Sequence, residues 1–206
     1  MAALIGIFVI VTVLVELRTA ASLDIAVAAG AQQINSALLD RLAAAAAVLL
    51  AFEPSLLYAA AGSLMLSRAR AGYYSLLPFG FVMLTAIEVG MKLFVYQPGV
   101  PLALQRPIHY PLIAVTFQGS YPSGHAIRSA YAAAFAAIVL APRRGLGRSV
   151  TFAVLALAAL LFGLSRVYLG EHWLSDVLAG LALGGAVGLV CGWKAQAALK
   201  TRGTGP

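Results

Sequence analysis

Six apolar runs divide this chain, over about residues 2–16, 42–67, 73–96, 125–141, 149–165 and 172–194. Each approaches the roughly 20 residues with which an α-helix crosses a bilayer. They predict an all-α fold, an integral membrane bundle of six transmembrane helices in one domain over residues 1–200. Residues 201–206, TRGTGP, read as a disordered tail. The composition agrees, because 62% hydrophobic and 10% charged residues, with a mean hydropathy of +0.92, exceed what a soluble core of this size requires. The lipid bilayer is therefore the expected partner.

Interruptions in the pattern carry information too. Glu53 and Pro54 break the second run and predict a kink there. The stretch SLDIAVAAGAQQINSALLD between the first two runs is amphipathic and too polar to span, which predicts an interfacial helix. The first run lacks the basic leader of a signal peptide and is read as a retained helix. Cys191, the single cysteine, lies in an apolar run; it excludes an intramolecular disulfide and reads as a structural thiol. Glycines 180, 184, 188 and 192 recur at every fourth position of the last run and form a ridge for close helix contact.

The formal charge of +7, from 14 Lys and Arg against 7 Asp and Glu, does not gather on one polar face, which argues against a nucleic-acid partner. Six helices instead put Arg68 and Arg70, Arg143, Arg144 and Arg148, and Lys194, Lys200 and Arg202 on one side. The positive-inside rule makes that side cytoplasmic. Lys92, Arg106, Arg128 and Arg166 fall on the opposite side and need another explanation.

Chemistry is concentrated in three places. In SRVYLGEHWLSD, residues 165–176, His172 and Asp176 stand four apart, so on a helix they share a face and the carboxylate can fix the imidazole tautomer. In YPSGH, residues 121–125, Ser123 and Gly124 open a helix, whose free N–H groups favour an anion, with His125 at the edge of that anion site. A capped helix with an incidental histidine would give the same pattern. Lys92 ends the third run, and Arg106 followed by Pro107 lies in the next loop. Lys92 is equally consistent with an ion pair to Glu88 four residues earlier, and Arg106 with snorkelling to the interface. The alternation of hairpins brings Lys92, His125, Arg166 and His172 to one membrane face. Together they supply cations, a nucleophile, its orienting carboxylate and a second histidine, sufficient for phosphoryl transfer without a metal.

YPSGH and SRVYLGEHWLSD resemble the second and third signatures of the type 2 phosphatidic acid phosphatase superfamily, which includes glucose-6-phosphatase and vanadium haloperoxidases. The resemblance extends from about Leu38 onward. The first signature departs: the family has six residues between its lysine and Arg-Pro, whereas thirteen separate Lys92 from Arg106. The resemblance implies His172 as nucleophile, Asp176 as its support and His125 as the acid for the leaving oxygen. Lys92, Arg106, Ser123, Gly124 and Arg166 would bind the phosphate. It implies no cofactor and no metal, and a membrane lipid substrate such as undecaprenyl diphosphate, phosphatidylglycerophosphate or phosphatidate. Arg128, outside the signature, is placed at the site periphery, and His109 is read as an interfacial histidine. The compact, alanine-rich chain points to a bacterial inner membrane with the site on the extracytoplasmic face. A vanadate-dependent haloperoxidase and a silent membrane scaffold are the alternatives. Oligomeric state is not encoded in any of these features.

Overall fold

The computed structural model describes residues 1–106, 119–142 and 144–202. Among them are eight α-helices: α1 (Ala2–Glu16), α2 (Ala21–Gln32), α3 (Ala37–Leu49), α4 (Phe52–Arg68), α5 (Gly80–Phe94), α6 (Gly124–Leu140), α7 (Leu146–Tyr168) and α8 (Leu174–Arg202). A 3-10 stretch, Gly72–Phe79, leads straight into α5 and extends it to a 23-residue apolar rod. His109 lies outside the described residues, as do 203–206 of the expected tail; Thr201 and Arg202 continue α8.

Among the described residues three helices are long and apolar enough to cross a membrane, Gly72–Phe94, Leu146–Tyr168 and Leu174–Thr201. Two bent pairs, α1 with α2 at 96° and α3 with α4 at 60°, raise the number to five if each counts as one span. The expectation of six exceeds this because α6 has only 17 residues. The architecture is that of an all-helical, multi-pass membrane protein.

Both bends have local causes. Between α1 and α2 the chain passes through Arg18 in the left-handed region, φ 57°. Between α3 and α4, Pro54 has no N–H to return to the Leu50 carbonyl, and Ala51 N–H bonds Val48 O at 3.2 Å, which leaves Ala47 O free as well. α2 consequently turns away from α1.

α8 is the central helix: 61% of its span is buried against 22% of α7. Its glycine ridge packs on α6, where a Cβ at Gly180 would lie 2.6 Å from Ser123 O and one at Gly188 2.5 Å from Tyr131 O. Only bare backbone fits so close an approach. His172 and Asp176 continue that ridge, so the contact seats them beside the start of α6. Ser123 N–H also donates to Asp176 O at 3.0 Å. Around this pair the outer surface is apolar, with Phe94, Leu102, Leu146, Leu157 and Leu161 exposed, as expected where lipid replaces water. Cys191 is half-buried against the main core cluster.

Candidate active site

The turn that carries His172 is built by the end of α7. Gly170 takes φ +73°, and a Cβ there would approach Gln105 Cα to 2.7 Å, so a side chain is excluded both by the backbone and by its neighbour. Glu171 N–H and His172 N–H both fold back onto Arg166 O, at 3.0 and 3.4 Å, which brings Arg166 beside the histidine. Trp173 Nε1–H then donates to Pro98 O at 2.7 Å and anchors the turn to the loop after α5.

Asp176 is fully buried. Its Oδ2 accepts from His172 Nδ1–H at 3.2 Å and from Trp173 N–H at 3.0 Å. With Nδ1 donating, Nε2 of a neutral His172 keeps its lone pair. Burial holds the His172 pKa below its ordinary 6.5, while the Asp176 hydrogen bond acts in the opposite direction. Lys92 and Arg166 are its cationic neighbours.

His125 opens α6 one residue after Gly124. Its Nε2 is 3.1 Å from Ala47 O, which can only accept, so Nε2 carries the proton; Nδ1 accepts from Arg128 Nη2 at 3.4 Å. Arg128 Nε donates to Leu50 O at 2.9 Å. The two carbonyls released at the α3–α4 break are thus taken up by His125 and Arg128. Arg166, Arg128 and His172 are the charged neighbours of His125.

Glu88 of α5 ties the cations together. It pairs with Lys92 Nζ at 3.2 Å and with Arg128 Nη1 at 3.7 Å. Its carboxylate lies against Gly124, where any Cβ would collide with it. The ion pair offered above as the alternative for Lys92 is therefore present, and Lys92 remains next to His172 as well. Arg166 is buried and in contact with Glu171, whose carboxyl is pushed up to about 7 by burial. Ser123 is completely buried; its Oγ caps α6 by accepting from Ala126 N–H at 3.5 Å. Tyr121, also fully buried, shares a 2.6 Å hydrogen bond with Thr12 of α1, and its burial raises the phenol to about 12.

Arg106 stands apart from this group. Its guanidinium donates to Tyr168 O (3.0 Å), Asp40 Oδ1 (3.2 Å), Ala31 O (2.8 Å) and Ile34 O (2.6 Å) and stacks 3.9 Å from the centre of the Tyr168 ring. It clamps the α2–α3 connection to the end of α7. Sequence reasoning did not single out Glu171 or the carbonyls of Ala47 and Leu50. Nothing in the spacing marks a main-chain acceptor, whereas Glu171 adjoins His172 and was legible as a neighbouring charge.

A family model, the PAP2 superfamily, matches residues 73–199. The chain belongs to the PAP2 superfamily. The PAP2 match takes in Lys92, Arg106, both histidines, Arg166 and Asp176, and begins after α4. Phosphatidylglycerophosphatase B of Bacillus subtilis (strain 168) is 35% identical over 82 residues, covering 38% of this chain and 40% of that relative's length. The crystal structure of the first transmembrane PAP2 type phosphatidylglycerolphosphate phosphatase, from Bacillus subtilis, superimposes with a TM-score of 0.76 at 21% identity, over 92% of each chain. That likeness extends the shared fold to nearly the whole chain.

Proposed function

We propose that this PAP2 protein is a membrane lipid phosphatase that removes a terminal phosphoryl group through a phosphohistidine on His172. The observation that carries the reading is the His172 Nδ1–Asp176 Oδ2 hydrogen bond, which leaves Nε2 as a nucleophile among Lys92, Arg166 and His125. In the first step Nε2 bonds to phosphorus as the ester or anhydride P–O bond breaks, and His125, protonated on both ring nitrogens as it enters this step, gives its Nε2 proton to the leaving oxygen and is left as neutral imidazole. For that transfer the proton exchanges the Ala47 carbonyl for the leaving group. In the second step water attacks phosphorus, His125 takes the water proton, and the P–N bond breaks to release phosphate. Lys92, Arg166, the Ser123 hydroxyl and the Gly124 N–H at the start of α6 stabilise the equatorial oxygens.

The reading needs no metal. In it the charge compensation comes from cationic side chains, Lys92 and Arg166. The relatives named for phosphatidylglycerophosphate make that lipid the first substrate to try; undecaprenyl diphosphate and phosphatidate offer the same terminal phosphoryl group. With α6 counted as a sixth crossing, the positive-inside distribution favours a site at the extracytoplasmic face of the bacterial inner membrane.

The test is phosphate release by purified protein from these three lipids in parallel, with EDTA present. Release from at least one, together with an acid-labile phosphoenzyme lost in His172→Ala, is expected. Release that depends strictly on added Mg²⁺, or none from any lipid, would overturn the proposal.

A further inference from the structure

Asp24, in the first turn of α2, is buried, yet the family match begins 49 positions later, at residue 73. Its carboxylate reaches across to α8. Oδ1 accepts Ser175 N–H at 2.9 Å, and Oδ2 accepts Ser175 Oγ–H at 2.6 Å. Gln97 Nε2 donates to Ser175 Oγ at 2.9 Å and lies 3.4 Å from Asp24 Oδ2.

The physical need for this carboxylate lies in α8. A helix start leaves its first N–H groups without intrahelical partners. Trp173, the residue before α8, has no side-chain acceptor with which to cap them. Asp176 turns back to satisfy Trp173 N–H, and Asp24 supplies the acceptor for Ser175 N–H from another helix. An anion is favoured there by the helix dipole as well as by the charge-assisted bonds. The same network leads outward to the other site segments, because Gln97 O receives Ser120 N–H at 3.0 Å on the approach to YPSGH. Gln97 itself follows α5, whose last turn holds Lys92.

We propose that Asp24 is a positioning residue: by capping the first turn of α8 it fixes the backbone from which His172 and Asp176 are aimed at the phosphoryl group. The assignment rests on the phosphatase reading above. It gives α2 a role in catalysis without contact with substrate, and makes the bend at Arg18 the device that delivers the carboxylate.

Hydrolysis of the preferred lipid by the wild-type protein is compared with Asp24→Ala and Asp24→Asn in the same detergent. Misaiming a nucleophile lowers turnover rather than binding, so Asp24→Ala should lose about 30- to 100-fold in kcat with KM within about twofold. Asp24→Asn, which retains an oxygen for Ser175 N–H but loses the charge, should lose about 3- to 10-fold. The rate of phosphoenzyme formation should fall in proportion to kcat. Wild-type kcat in Asp24→Ala, a loss confined to KM, or equal deficits in both variants would overturn the inference. If Asp24→Ala does not fold, Asp24→Asn decides: lowered kcat at unchanged KM supports it and wild-type kcat rejects it. A wild-type protein that releases no phosphate overturns the phosphatase reading and this inference with it, whereas an active wild type with an unaffected Asp24→Ala overturns the inference alone.

Discussion

His172 Nδ1 and Asp176 Oδ2 stand 3.2 Å apart, and the same oxygen accepts Trp173 N–H at 3.0 Å. One atom therefore orients the imidazole and caps the helix that carries it. Any change to that oxygen alters the aim of the histidine and the helix start together.

Asp176→Asn keeps the size of the side chain but offers only one acceptor for two donors. With the amide oxygen on Trp173 N–H, the NH₂ group meets His172 Nδ1 and forces the proton onto Nε2. Loss of the nucleophilic tautomer should lower kcat by roughly 10³- to 10⁴-fold with little change in KM. Steady-state kinetics, with circular dichroism to verify folding, provide the check; a loss under about tenfold would reject the tautomer argument.

The pH dependence should have two separable parts. Burial lowers the His172 pKa, so the histidine is already neutral at pH 7 and the acid limb that it contributes to kcat/KM should fall below pH 6.5. Glu171, raised to about 7, is protonated on the acid side and releases Arg166; on the alkaline side it is anionic and competes with phosphate for that cation. KM should therefore rise about three- to tenfold as pH increases from 6 to 8. In Glu171→Gln the low KM should persist across this range. The same KM profile in wild type and variant would show that the substrate's own ionisation, not Glu171, sets it.

Arg106 and Lys92 should separate in a paired measurement. Arg106→Ala orphans acceptors on the α2–α3 connection, a cost of about 1–3 kcal/mol, and should lower the thermal midpoint by several degrees while KM stays within about twofold. Lys92→Ala should raise KM at least about tenfold through loss of a phosphate cation. A raised KM at an unchanged midpoint in Arg106→Ala would make Arg106 a phosphate ligand after all.

What was legible in the sequence is what is local. His172 with Asp176 and Lys92 with Glu88 are pairs four residues apart on one helical turn, and the glycine ridge has the same period. Pro54 announced the α3–α4 break, because a missing N–H acts where it stands. The bend between α1 and α2 was not visible, since nothing in the sequence marks Arg18, a non-glycine residue, for the left-handed region. Nor were the long-range partners: Ser175 lies 151 positions from Asp24, and His125 lies 78 from Ala47. No periodicity connects such positions. The length of α6 was legible, since its 17 residues match the run read over 125–141; whether so short a helix crosses is what apolarity alone leaves open.

The break at Pro54 puts part of the site beyond the reach of side-chain comparison. The atoms that meet His125 and Arg128 are the carbonyl oxygens of Ala47 and Leu50, which every amino acid possesses. A change of side chain at position 50 would leave its carbonyl in place, whereas Ala47 is fully buried against Leu169 and admits no larger side chain. Pro54, in the first turn of α4, brings no N–H of its own, so no donor from that position competes with Arg128 for the Leu50 carbonyl. Part of the recognition chemistry here is written in main-chain oxygens that a helix break leaves open.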